Sequence, residues 1–165
     1  MKKIILLLAI TASFLFHSCS PKEEIHADLL AEVFQVTTSF TAANNYSKLI
    51  TLNPPIYNSD MVLVYRSFDV INGQRVWRQL PQAVYLIQGE LNYNFDFTRN
   101  DINLFLESDF DLATLGATWS QNQVFRVVII PGYLSNKNKK AVDFNDYNAV
   151  VKAFNIKDSQ VKTIQ

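Results

Sequence analysis

From residue 32 onward the chain is written in short runs where apolar and polar positions alternate. "VFQVTTSF", "MVLVYRSF", "AVYLI", "LNYNFDF", "INLFLE" and "VFRVVII" are rich in Val, Ile, Phe, Tyr and Thr and have the length of strands. Two junctions read as hairpin turns. "VINGQRVW" centres on Asn72-Gly73, a pair that tolerates the positive φ a type I′ turn needs at both central positions. Pairing outward from it sets Ile71 opposite Gln74, Val70 opposite Arg75 and Phe68 opposite Trp77. Leu63, Tyr65, Val76 and Leu80 then share one face, and Arg66, Phe68, Arg75, Trp77 and Gln79 the other. "YLIQGELNYNFDF" turns at Gln88-Gly89. It gives one face to Val84, Leu86, Leu91, Tyr93, Phe95 and Phe97, and the other to Tyr85, Glu90, Asn92, Asn94 and Asp96. Such alternation predicts antiparallel sheet with one dry and one wet face.

One stretch changes period. "VDFNDYNAVVKAFNI" sets Phe144, Tyr147, Val151 and Phe154 on a stripe at steps of three and four, which predicts a helix of about ten residues. Asp143 is its expected N-cap, with Val142 stapled onto Tyr147. A last short strand is expected in "SQVKTI". The expected fold is mainly β: an antiparallel β-sandwich of about seven to nine strands with one C-terminal α-helix.

The N-terminus follows another pattern. Lys2 and Lys3 form a cationic head, and Ile4 to Phe16 is apolar apart from Thr11 and Ser13. A spanning helix needs about 20 residues, so this shorter run reads as a secretory signal segment. It ends at Cys19, the one cysteine of the chain. Here the sequence resembles a bacterial lipobox, with Ser18 at the small-residue position before the cut. The resemblance implies a thioether-linked diacylglyceryl group on Cys19, cleavage before it, and acylation of the new amine. Residues 1–18 are then a signal peptide, 19–31 the lipidated cysteine and its tether, and 32–165 a single domain. Several acyl chains on one residue make a durable membrane anchor.

Lys22-Glu23-Glu24 follows directly. It resembles the export signal of Bacteroidota surface lipoproteins, a lysine and two acidic residues close to the lipidated cysteine. The resemblance implies an outer-membrane lipoprotein displayed on the cell surface; a domain facing the periplasm is the alternative. "FTAANNYSKLITL", "YNFDFTRNDINLFLESDFDLATL" and "QNQVFRVVIIPG" look like a domain appended to collagen-like surface lipoproteins of the same phylum. That likeness implies no activity and no site residues, and this chain carries no Gly-X-Y run.

Charge and composition narrow the function. The chain has 15 basic and 15 acidic residues. Cleavage removes Lys2 and Lys3 and no acid, which leaves a formal charge of about −2 and no basic footprint for nucleic acid. Beyond the signal segment the only histidine is His26, in the tether. Ser-His-Asp and Cys-His catalysis and Cys/His zinc sites therefore lack their residues in the domain. The four glycines are scattered and form no phosphate loop. No cofactor is expected.

Two candidate sites remain. In "DINLFLESDFD", Asp101, Glu107, Asp109 and Asp111 could serve a carboxylate-based hydrolase of cell-surface glycans, which needs two carboxyls about 5 to 9 Å apart. Glu107, Asp109 and Asp111 could also hold calcium, although the EF-hand spacing is absent; a solvated acidic turn explains them as well. The second candidate is a binding face of Arg66, Phe68, Arg75 and Trp77, where a flat aromatic beside guanidinium forks suits a sugar ring or a partner protein. The leading expectation is a lipid-anchored, non-catalytic binding or scaffolding module for an envelope protein or glycan, with the hydrolase as the alternative.

Overall fold

The computed structural model describes residues 30–137 and 142–164. The signal segment, Cys19, Lys22, Glu23, Glu24 and nearly all of the tether lie outside the described residues.

Nine strands form two sheets. The five-stranded sheet has the order β4 (Gln74–Gln79), β3 (Met61–Ile71), β8 (Gln123–Ile130), β1 (Glu32–Thr38) and β9 (Lys162–Ile164). The four-stranded sheet runs β2 (Ser47–Thr51), β7 (Asp101–Ser108), β6 (Gly89–Phe97) and β5 (Gln82–Leu86). Every pairing is antiparallel except that of β1 with β9. The fold is mainly β and sandwich-like, as the alternating runs predict. Their inward positions supply the main core: Val36, Phe40, Val64, Leu91, Tyr93, Ile102, Leu104, Phe125 and Val127 are all essentially sealed from solvent.

Among the described residues three short α-helices accompany the sheets: α1 (Ala117–Ser120), α2 (Gly132–Lys137) and α3 (Tyr147–Ala153). Only α3 was legible as a helix. It lays Tyr147, Val150 and Phe154 on the outer face of the five-stranded sheet, where they meet Leu63, Tyr65, Val128 and Ile130 in a second core. β8 is therefore apolar on both faces, which explains the unbroken run "VVII". The expected N-cap is corrected. Asp146, not Asp143, caps α3 by accepting the Asn148 N–H at 2.9 Å, whereas the Asp143 carboxylate is taken by the Asn145 N–H at 3.0 Å in the preceding turn. The helix is seven residues long.

Both hairpins form. Asn72 and Gly73 have φ of 51° and 78°, both in the left-handed region that a type I′ turn requires. Ile71 faces Gln74 and Val70 faces Arg75, but Phe68 does not face Trp77. The register shifts between Ser67 and Asp69, so Phe68 is the extra residue of a bulge and Trp77 pairs with Ser67. In the second hairpin Leu86 pairs with Gly89, so the turn residues are Ile87 and Gln88, one position earlier than expected.

Candidate functional site

The bulge decides what the β3–β4 hairpin can present. One added residue turns every side chain beyond it to the opposite face. The expected face of Arg66, Phe68, Arg75 and Trp77 is therefore divided. Arg66 points into the main core and is only 3% exposed. Its Nε and Nη2 donate to Gln123 Oε1 at 3.0 and 2.6 Å, and Nη1 reaches Gln82 Oε1 at 3.4 Å. The guanidinium carbon lies 4.0 Å from the centroid of Tyr93. Phe68 is half-buried beneath the Arg78 guanidinium, 3.3 Å from its ring centroid.

Trp77 goes the other way. It joins Tyr65 on the face that α3 covers, 5.7 Å from the ring of Tyr147, with the Arg126 guanidinium 4.5 Å from its centroid. Tyr147 is the hinge of this arrangement. Its hydroxyl accepts from Arg126 Nη1 at 2.8 Å and donates to Asp158 Oδ1 at 2.5 Å, and Arg126 and Asp158 form an ion pair at 2.8 Å. Tyr65 stands edge-on to Tyr147 and donates to the Phe144 carbonyl oxygen at 2.6 Å. Burial raises both phenols above the ordinary tyrosine range; the hydrogen bond to Asp158 adds to this for Tyr147. The polar network thus fixes α3, and the turn that follows it, against the sheet.

A cleft of about 430 Å³ opens where the hairpin tip meets the start of α3. Val76, Trp77 and Tyr147 line its inner side. Ile71, Asn72, Gln74 and Arg75 of the hairpin form one bank, and Asp146 and Asn148 at the start of α3 the other. Arg75 is held by a hydrogen bond from Nη1 to Ser67 Oγ at 3.0 Å. So Arg75 and Trp77 of the expected face share a site, while Arg66 and Phe68 stand apart from it. Sequence reasoning missed Asn72, Gln74, Asp146, Tyr147 and Asn148. The turn and the helix start were each legible, but nothing in the sequence says that they meet. A second cleft of about 680 Å³ lies at the opposite edge of the sandwich, between β1 and β9 on one side and β2 and the loop after it on the other. Core aliphatics such as Ile50, Leu52, Ile56 and Ile129 line it.

The carboxylates do not converge. Asp101 opens β7 and accepts from Thr98 Oγ1 at 2.7 Å. Glu107 lies six positions along the same strand, about 20 Å away at strand rise, and is exposed, accepting from Asn94 Nδ2. Asp109 accepts the Glu90 N–H at 2.7 Å, and Asp111 caps a 3-10 turn through the Ala113 N–H at 2.9 Å. Glu107, Asp109 and Asp111 thus serve three separate local bonds. Among the described residues no group of three or more His, Cys, Asp or Glu side chains is placed to hold a metal ion.

No protein-family model matches the chain, and no curated protein or solved structure matches it either. The functional reading rests on the residues and their geometry.

Proposed function

We propose that the protein is a lipid-anchored lipoprotein of the cell envelope, displayed at the surface, whose β-sandwich domain binds a ligand or partner without transforming it. The signal segment, Cys19 and Lys22-Glu23-Glu24 support the anchor and its destination. The cleft between the β3–β4 hairpin and α3 supports the binding role, and it is the observation that carries this reading. It combines an aromatic inner side with banks that are mostly polar apart from Ile71, the usual make-up of a recognition site. It is also built on a rigid frame, because Tyr147 is tied to Arg126 and Asp158. The hydrolase alternative is less favoured, because Asp101 and Glu107 are separated by most of β7 and Glu107, Asp109 and Asp111 each serve a local hydrogen bond.

A photoreactive amino acid placed at Gln74 in the lipoprotein on intact cells tests the proposal. Gln74 is exposed on the bank of the cleft; Tyr85, 79% exposed on the four-stranded sheet, is the control position. A discrete adduct from position 74 and none from position 85 is the expected result. The absence of an adduct from position 74, or identical adducts from both, would contradict it.

A further inference from the structure

The cleft between the β3–β4 hairpin and α3 has a composition that selects among ligand classes. It carries one positive side chain, Arg75, and one negative, Asp146, on opposite banks. Their charges offset each other, so neither sign dominates the lining. Each is also partly engaged: Arg75 with Ser67 Oγ, and Asp146 with the Asn148 N–H. The remaining polar side chains are Asn72, Gln74 and Asn148. All three are exposed, and none is spent on a hydrogen bond to another described residue. A primary amide offers donors and an acceptor together. A group that also donates and accepts complements it, and a sugar hydroxyl is such a group.

The apolar side has matching limits. Arg126 stacks on Trp77, and Tyr147 is buried beside it. Trp77 is the half-buried aromatic that lines the opening, and it is held in place by both neighbours. A ligand must therefore offer one flat apolar patch to Trp77 and several hydroxyls to the amides on either bank. Purely apolar ligands would leave the amides unpaired, which costs about 1 kcal/mol or more for each group desolvated. We infer that the cleft binds a neutral glycan, with a pyranose ring laid on Trp77 and its hydroxyls bridging Asn72 and Gln74 to Asn148. A volume of about 430 Å³ is at the small end of ligand pockets, which limits the bound part to a short oligosaccharide or the end of a longer chain. The inference rests on the binding role proposed above and adds its ligand class.

The test uses the full lipidated chain in zwitterionic detergent micelles, with the indole nitrogens labelled for NMR. The two tryptophans, Trp77 and Trp119, give two indole signals, assigned by Trp77→Phe. Cellobiose, maltose, lactose and N-acetyllactosamine are the neutral probes; a glucuronic acid disaccharide and tetra-alanine are the controls. At least one neutral probe should move the Trp77 signal saturably and leave Trp119 in place. Gln74→Ala with Asn148→Ala, both exposed positions, should weaken that binding about tenfold, which is roughly the loss of two modest hydrogen bonds. If no neutral probe moves Trp77, if the controls move it equally, or if the double variant binds as tightly as the native chain, the glycan assignment is wrong. The crosslinking experiment separates the two failures. A protein adduct from Gln74 with a silent Trp77 signal overturns the glycan class and leaves the binding role; silence in both overturns both.

Discussion

Arg66 brings a full charge into the main core, and among the described residues no carboxylate meets it. Its partners are two amide oxygens and the face of Tyr93, with Trp119 at 5.6 Å on another side. Burial holds its guanidinium below the ordinary arginine value, with Tyr93 acting against that shift. The charge is tolerated because oriented dipoles and a ring quadrupole replace part of its hydration. Removing the side chain would leave a cavity and strand buried amides of Gln82 and Gln123. Arg66→Ala is therefore expected to cost about 3 kcal/mol in chemical denaturation. Arg75→Ala, at the surface, should change stability by less than about 0.5 kcal/mol. Gly89 shows a second kind of constraint. Its φ is +143°, and a Cβ there would lie 2.0 Å from Asp109 Oδ1. Asp109 is close because it accepts the Glu90 N–H and so closes the end of the hairpin. Gly89→Ala should thus destabilise more than Gly73→Val. At Gly73 nothing lies within 4 Å, and the cost is the backbone term alone, roughly 1 kcal/mol or more. Melting curves of the two variants decide the order.

At the scale of elements, the hairpin and the helix carry the site, and each was read from sequence only in part. Asn72-Gly73 announced its turn because few residue pairs accept two positive φ values. The alternation on either side of it was also sound as far as it could be counted. A single bulged residue leaves no mark on composition, however, so the faces beyond Phe68 were assigned to the wrong sides. Arg66 became core, and Trp77 became the neighbour of a helix 70 positions away. The helix itself was visible in its apolar steps. Its start was misplaced because Asp143, the expected cap, is used one turn earlier, and Asp146 caps the helix instead. The cap gives a direct check: Asp146→Ala should lower stability by about 1 kcal/mol, with a smaller effect from Asp143→Ala. Equal losses, measured by thermal denaturation, would place the helix start back at the earlier aspartate. β2 and the meeting of turn and helix had no local signal, since both depend on contacts between distant segments.

At the scale of the whole molecule, the two cores share one dependence on pH. Tyr65, Tyr93 and Tyr147 are each raised above the ordinary tyrosine value, chiefly by burial; for Tyr93, where Arg66 opposes the shift, the value is pushed up to about 12. In the unfolded chain these phenols lose their protons near pH 10, while the folded chain retains them. The unfolded state then binds fewer protons, so stability falls as pH rises above about 10. Below that pH the contribution is complete and constant. The fall should approach about 1.4 kcal/mol per pH unit for each of the three phenols. The tyrosinate absorbance of these three phenols should appear together with unfolding; free titration of all three in the folded chain near pH 10 would contradict their burial.

As proposed, the domain works at the end of a short tether on the outside of the cell. From Cys19 to residue 31 the chain can reach no more than roughly 40 Å, so the domain would sit close to the membrane. Among the described residues no helix is long and apolar enough to cross a membrane, and the lipid on Cys19 is the proposed attachment. Protease digestion of intact cells is the direct measurement, made on the native chain and on the variant with Lys22, Glu23 and Glu24 all changed to Ala. The account predicts that the native domain is digested in whole cells and that the triple variant is protected while remaining in the membrane fraction. A native domain that survives until the outer membrane is broken would contradict it.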